Sequence, residues 1–217
     1  MFLCKQARPN IEPGICFLSS HMSKPDESDW QKLTKILEYL KGTEDNVLTL
    51  ETDDKNILYW YIDTAFAVHY DVGSHSGLIF TIRKGAMISS SRKQKTNSRS
   101  STEAELNATD EMLSKMIRVK KFIEKQGFKV KLNILFQDNT STIKLCKNGK
   151  LSSGKRTRHF DIKLFYITDL INRNELEVRY CATDKMIGDY MPKLLVGAKF
   201  DKFRDLVMNL SNKHHIG

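Results

Sequence analysis

The sequence predicts an α/β fold in which a mixed β-sheet is covered by helices. Between residues 57 and 91, three short segments rich in β-branched and aromatic residues follow one another, separated by turns that contain glycine. After residue 100 the apolar residues recur at helical spacing, and helices then alternate with two more strands. A group of strands followed by alternating helices and strands is typical of a mixed sheet with helices packed on it.

The first three strands are indicated by their composition and by the turns between them. Residues 57–62 read Ile-Leu-Tyr-Trp-Tyr-Ile, a pattern that favours a strand. Residues 78–82 and 86–91 predict two more strands, because glycine-containing turns at residues 73–77 and 84–85 precede them. Three short strands joined by tight turns predict an antiparallel meander.

The second half of the chain predicts five helices and two strands. A long helix over residues 101–126 follows from an apolar stripe through Ala108, Met112 and Met116, and Gly127 ends it. The other expected elements are strands at 130–136 and 175–181 and helices at 140–147, 160–171, 184–195 and about 200–210. With the meander, these strands predict a five-stranded sheet.

A short helical leader precedes the sheet. Apolar residues at helical spacing predict a helix from Asp26 to Lys41, which Gly42 ends. Residues 47–50 predict a short strand, and the polar residues 51–55 predict a linker. The leader is too small for a core of its own, so we expect residues 1–55 to be the end of a larger domain and residues 56–212 to form the main domain.

The chain is basic, with 35 Lys and Arg against 26 Asp and Glu, and its formal net charge is +9 over 217 residues. The charge is clustered: residues 81–100 hold six cations and no acid, and residues 144–163 hold seven cations and only Asp161. Clustered cations are typical of a surface that binds a polyanion such as nucleic acid. The alternative is two solvated loops that keep the protein soluble.

Several classes are excluded by composition. No apolar run approaches the ~20 residues that cross a bilayer, and the first five residues turn polar too soon for a signal peptide. Four scattered cysteines without a Cys-x-x-Cys pair fit neither a disulfide framework nor a zinc site. We therefore expect an intracellular protein that is not secreted and does not contact a membrane.

Four acids stand at positions that suit metal binding. Asp63 and Asp138 end the first and fourth predicted strands, so they converge if those strands are neighbours. Glu105 lies three and seven residues before apolar positions of the long helix and therefore points toward the sheet. Asp189 falls in the helix after the last strand. Clustered carboxylates suit Mg²⁺ or Mn²⁺, and a pair of such ions can activate water and stabilise a leaving oxygen.

Each of these acids also has a simpler interpretation. An Asp at a strand end is often a turn residue, and a Glu early in a helix often interacts with the helix dipole. Glu103 competes with Glu105 for the metal role, but Ser100 and Glu103 fit a capping box, which gives Glu103 a structural role. We therefore predict that Glu105 is the functional glutamate.

Five motifs follow one another along the chain. In chain order, they are YIDTAFAVH, SSSRKQKTNSRSSTEAEL, QDNTSTIKL, KRTRHFDIKLFYITDLI and GDYMPKLL. Together they resemble the ribonuclease H region of copia-type LTR retrotransposon polyproteins. Two upstream segments, ARPNI and WQKLTKILEYLKGT, resemble the end of that family's reverse transcriptase region, so the resemblance covers nearly the whole chain.

The resemblance implies a ribonuclease H-like fold with helices on both faces of the five-stranded sheet. It implies hydrolysis of the RNA strand of RNA–DNA hybrids during reverse transcription, with two Mg²⁺ ions, or Mn²⁺ in their place. It assigns both catalysis and metal binding to Asp63, Glu105, Asp138 and Asp189. The implied partners are the hybrid and the reverse transcriptase domain of the same polyprotein, in a cytoplasmic particle or the nucleus.

The chain departs from the family pattern in ways that keep alternatives open. The first strand keeps only Asp63 of an Asp-Ala-Asp-Trp pattern, and Gly188 and Pro192 replace the usual Ala and Thr around Asp189. If Asp189 lies deep in a helix, Pro192 distorts the site, because proline is tolerated only in a first turn. An inactive remnant that binds nucleic acid is therefore an alternative. An integrase-type transferase is disfavoured by the order of the acids, and a packing module by the basic clusters.

Eleven residues are candidates for contacting nucleic acid. Gln94, Ser98, Asn139 and Thr140 are predicted to contact sugar or phosphate, although each also fits a turn or a helix cap. For His159 a structural role at a helix start is favoured, and contact with substrate is its candidate functional role. The residues predicted to follow the phosphate backbone are Lys93, Lys95, Arg99, Lys155, Arg156 and Arg158.

Overall fold

The computed structural model describes residues 1–53, 56–149 and 161–210, apart from the side chains of residues 161 and 162. The strands are β1 Ile57–Ala65, β2 His75–Thr81, β3 Ile88–Lys93, β4 Leu132–Gln137 and β5 Glu177–Tyr180. The helices are α1 Phe2–Gln6, α2 Glu12–Ser19, α3 Glu27–Lys41, α4 Ser101–Lys125, α5 Thr140–Asn148, α6 Asp161–Asn172 and α7 Gly197–Met208. Within these described residues, 3₁₀ turns span Pro9–Ile11 and Ile187–Tyr190.

The five strands form one mixed sheet in the order β3-β2-β1-β4-β5. The first three strands pair antiparallel, which confirms the predicted meander. β4 runs parallel to β1 and β5 runs parallel to β4, because helices carry the chain back between these strands. The pairing places Tyr61 beside Phe136, so the ends of β1 and β4 lie at the same edge of the sheet.

Helices cover both faces of the sheet. On one face, alternate β1 residues Leu58, Trp60 and Ile62 pack in one core cluster with apolar residues of α4, α5 and α6. On the other face, Ile79 packs with Tyr190 and with α7. The alternation follows from the two-residue period of a strand, which points successive side chains to opposite faces. The predicted fold class, α/β with a mixed five-stranded sheet, helices on both faces and a helical leader, is confirmed.

The leader packs against the sheet. α2 lies on the edge strand β3, and Glu12 at its start is completely buried. Tyr190 donates its hydroxyl to the backbone oxygen of Asn10 across 2.8 Å, which ties the leader to the opposite end of the chain. The α3 helix is confirmed, with Asp26 as its cap. The strand predicted at 47–50 is wrong, because only Glu51 forms a single bridge, with Lys84.

The helix predicted at 184–195 is also wrong. The structure has only the 3₁₀ turn Ile187–Tyr190, and a new helix, α7, begins at Gly197. Proline cannot donate the backbone hydrogen bond that a longer helix would need, so the turn ends before Pro192. Pro192 instead packs on Gly77 of β2, where an added Cβ would lie 2.3 Å from the proline Cδ. Asp189 therefore stands in a short turn, and Pro192 does not distort a helix around it.

Among the residues described, no helix has both the length and the apolar character needed to cross a membrane.

Candidate metal centre

Two of the predicted acids converge at one edge of the sheet. Asp63 lies within β1 opposite Gly77 and is 2% exposed, while Asp138 directly follows the last residue of β4 and is half-buried. β1 continues for two residues beyond Asp63, so this acid does not end its strand as predicted. Since β1 and β4 are parallel neighbours, the predicted convergence of the two strands is confirmed.

Glu105 enters the same place from the helix above the sheet. α4 packs on β1, and its inward face buries Glu105 to 5% exposure. The backbone N–H of Thr64 donates to Glu105 Oε1 across 3.1 Å, which fixes the carboxylate beside β1. Asp63, Glu105 and Asp138 each offer a carboxylate oxygen, and these oxygens all lie within 4.8 Å of one another.

The buried carboxylates are short of donors. Glu105 Oε2 is buried and has no hydrogen-bond partner in the described part of the chain. Burial raises the pKa of Glu105 well above its ordinary value, and the charges of Asp63 and Asp138 raise it further. Burial also raises the pKa of Asp63 to about 6, although the nearby Lys193 ammonium opposes the shift. The ionised cluster is therefore costly in the folded protein unless a cation compensates it.

Asp189 is buried next to this group, but lysines neutralise it. Lys193 Nζ lies 2.6 Å from Asp189 Oδ1, and Lys199 Nζ lies 2.9 Å from Asp189 Oδ2. Although burial opposes it, hydrogen bonds with Lys193, Asp63 and Lys199 hold the pKa of Asp189 below its usual range. Neither lysine is among the residues predicted from the sequence for this site. The four-residue spacing between Asp189 and Lys193 was the sequence signal that could have predicted this ion pair.

The three-acid group fits a hard divalent cation. It offers carboxylate oxygens, the ligands that Mg²⁺ and Mn²⁺ prefer, and one buried oxygen of Glu105 has no hydrogen-bond partner among the described residues. Thr183 donates its hydroxyl to Asp138 Oδ2 across 3.3 Å, so the most exposed of the three acids is also oriented by a neighbour. The arrangement is suited to holding a metal ion and binding an anionic substrate through it.

Gln94 and Ser98, predicted to contact substrate, have partners within the protein. Gln94 is 3% exposed and donates to Ser76 Oγ and to the backbone oxygen of Ala104, both across 2.8 Å. Ser98 donates to Gln94 Oε1 and accepts from the side chain of Asn107. These bonds fasten the basic segment before α4 to the sheet and to the helix that carries Glu105.

The other predicted contact residues differ in exposure. Asn139 caps α5 by accepting from the N–H groups of Ser141 and Thr142, and Thr140 is exposed at the start of that helix. Lys93 forms an ion pair with Asp71. Lys95 and Arg99 are exposed beside the buried Gln94. Four predicted residues lie outside the described part of the chain: Lys155, Arg156, Arg158 and His159.

The chain resembles polyproteins of plant transposons along nearly its whole length. It is 30% identical over 213 residues to the retrovirus-related Pol polyprotein from transposon TNT 1-94 of Nicotiana tabacum, covering 98% of this chain and 16% of that protein. It is 29% identical over 198 residues to the corresponding protein from transposon RE1 of Arabidopsis thaliana, covering 90% of this chain and 13% of that protein. Its homologues are copia-type retrovirus-related Pol polyproteins.

The chain spans about one sixth or less of the length of these relatives. No protein-family model matches it. Among solved structures, LC11-RNase H1 from compost covers 71% of this chain and 96% of its own, with 15% identity and a TM-score of 0.45.

Proposed function

We propose that this chain is a metal-dependent endonuclease of the ribonuclease H type, which hydrolyses the RNA strand of RNA–DNA hybrids during reverse transcription. The observation that carries the proposal is the convergence of Asp63, Glu105 and Asp138, with Glu105 Oε2 buried and unpartnered within the described residues. The similarity to retrovirus-related Pol polyproteins of transposons supports the proposed context of reverse transcription.

The acids would act together as ligands. Asp63, Glu105 and Asp138 would hold metal directly, and Asp189, which shares Lys193 with Asp63, is proposed as the fourth ligand. Two Mg²⁺ ions, or Mn²⁺ in their place, supply activation of a water molecule and stabilisation of the departing ribose 3′-oxygen when bound. Metal binding requires ionised carboxylates, so Asp63 and Glu105, whose pKa values are raised, would release protons as the site is filled.

Substrate binding would use the basic segment that leads into α4. Lys95 and Arg99 are exposed there, and the buried Gln94 anchors the segment close to Glu105. Cations at this position would follow the phosphate backbone and bring the scissile bond to the acids. The RNA strand would be distinguished by its 2′-hydroxyls and by the A-like shape of the hybrid. The reverse transcriptase region of the same polyprotein is the proposed protein partner.

The test is cleavage of an end-labelled RNA–DNA hybrid with Mg²⁺ or Mn²⁺, comparing the unmodified protein with Asp138→Asn. Asp138 is the best target, because it is half-buried and its substitution leaves the core intact. We expect cleavage that depends on the metal and is lost in the variant. Cleavage that survives the substitution unchanged would refute the metal assignment.

A second candidate function is an inactive remnant that only binds nucleic acid. The observation in its favour is that Lys193 and Lys199 already neutralise Asp189. This candidate predicts that the unmodified protein cleaves no hybrid but still binds it, with an affinity that falls steeply as salt is raised. Cleavage separates the two candidates, and binding measured between about 50 and 200 mM salt shows whether a protein that does not cleave still binds the hybrid.

A further inference from the structure

One lysine joins two of the four acids. Lys193 Nζ lies 2.8 Å from Asp63 Oδ2 and 2.6 Å from Asp189 Oδ1, and both carboxylates are buried. Two buried acids brought this close would repel each other if both were ionised without a cation. The ammonium group therefore holds the pair together.

The cluster is divided into an open half and a half filled by lysine. In the open half, Glu105 Oε2 is unpartnered within the described chain, and Glu105, Asp138 and Asp63 each offer an oxygen within 4.8 Å of the other two. In the filled half, both oxygens of Asp189 contact ammonium groups, one from Lys193 and one from Lys199. Asp63 belongs to both halves, since its Oδ2 contacts Lys193.

We propose that Lys193 is an internal counter-ion that competes with the second metal ion for Asp63 and Asp189. The proposal rests on the proposed function, because it concerns the same acids. A first divalent ion enters the open half without displacing any protein cation. A second ion must displace the Lys193 ammonium, so it binds much more weakly than the first.

The surroundings of Lys193 allow this exchange. Its backbone follows Pro192, which is packed against Gly77, so the start of the side chain is fixed. The side chain itself is 35% exposed and has flexible methylene groups. It lines a groove of about 200 Å³ together with Tyr190 and Phe200, which gives the methylene stem an apolar surface when the ammonium leaves the acids.

The experiment titrates the protein with Mn²⁺ in the absence of nucleic acid. Electron paramagnetic resonance measures the free ion, and the bound ion is the difference from the total. We expect the unmodified protein to bind one ion tightly and a second at least about tenfold more weakly, a ratio worth ~1.4 kcal/mol. Lys193→Met should tighten the second site by about tenfold or more and leave the first within about twofold. Lys193→Arg keeps the charge and should behave like the unmodified protein. Lys193→Gln repeats the test if the Met variant fails to fold.

The matched control is Lys202→Met in α7. It removes the same charge, but Lys202 donates to the backbone oxygen of Asp184 and contacts none of the four acids. Both affinities should be unchanged in this variant. Equal affinities for two ions in the unmodified protein, or a second site that Lys193→Met and Lys193→Gln leave unchanged, would overturn the inference while the proposed function stands. Failure of every protein to bind Mn²⁺ would instead count against the proposed function.

Discussion

Glu12 of the leader and Glu105 of α4 are both buried glutamates near the start of a helix, but their surroundings differ. Glu12 is completely buried and accepts from Lys5 Nζ, the Ser89 hydroxyl and the Ser91 N–H. Glu105 accepts one backbone N–H on Oε1, and its Oε2 has no partner among the described residues. Within residues 1–53, 56–149 and 161–210, one carboxylate is compensated by neighbouring donors and the other is not.

The difference separates structure from function. A buried polar group without a partner is destabilising, so it persists only where something else compensates it. The donors around Glu12 fasten α2 to the edge strand β3, which gives that glutamate a structural role. No described residue donates to Glu105 Oε2, which is consistent with the metal role proposed for this glutamate. Residue type and helix position alone do not distinguish the two.

The largest expected difference between Glu12 and Glu105 is in catalysis. Glu105→Gln removes a proposed metal ligand and should lower hybrid cleavage by at least about 10³-fold, or ~4 kcal/mol of transition-state stabilisation. Glu12→Gln should cleave within about threefold of the unmodified protein at a temperature where it is folded, a change worth under ~1 kcal/mol. Rates on a labelled hybrid at saturating Mg²⁺ test this. Comparable losses in both variants would contradict the comparison.

The next largest difference is in stability. Glu12→Ala leaves Lys5 and two buried donors without their acceptor and should lower the free energy of unfolding by about 3–5 kcal/mol. Glu105→Gln removes a desolvated acid from a group of like charges, so the metal-free protein should be equally stable or more stable. Urea unfolding in EDTA measures both effects. Added Mg²⁺ should raise the unfolding midpoint of the unmodified protein and leave that of Glu105→Gln nearly unchanged.

The third difference appears with pH. Burial raises the pKa of Asp63 from 3.8 to about 6, so the native state binds the proton more tightly than the unfolded state does. Asp63 therefore contributes to the free energy of unfolding below about pH 4, where it is protonated in both states. This contribution, at most ~3 kcal/mol, is lost as the pH rises toward 6. Urea midpoints between pH 4 and 7 in EDTA should show this fall, and Asp63→Asn should flatten it. A rise over this range that Asp63→Asn leaves in place would contradict the assignment.

The sequence predicted the parts of the site that depend on local pattern. The apolar stripe of α4 predicted that Glu105 points toward the sheet, and Glu105 is buried there. Asp63 and Asp138 were predicted to converge if their strands are neighbours, and the parallel pairing of β1 with β4 brings them together. The sequence did not predict the lysines on Asp189, because that contact depends on a turn and on a helix that starts only at Gly197. The periodicity around residues 184–195 suggested one helix, and the packing of Pro192 on Gly77 prevailed over it.

The smallest expected effect concerns Glu103, two residues before Glu105. Ser100 Oγ accepts from the Glu103 N–H, which confirms Ser100 as the cap of α4, and Glu103 Oε2 accepts from the N–H of Arg99 across 2.8 Å. In the predicted capping box, the Glu103 side chain would accept from the backbone N–H of Ser100. It accepts from the backbone N–H of Arg99 instead, one residue earlier in the chain. Glu103→Gln weakens one charge-assisted bond at a helix start and should cost only ~0.5 kcal/mol of unfolding free energy.

Hybrid cleavage by Glu103→Gln should be unchanged within error, because Glu103 points away from the metal acids and serves the helix end. The measurement pairs this variant with Glu105→Gln under identical conditions, so that the two glutamates differ only in the face of α4 they occupy. A loss of cleavage in Glu103→Gln as large as in Glu105→Gln would mean that the helix start itself positions the site. The distinction between a compensated and an uncompensated carboxylate would then no longer separate structural from functional acids in this protein.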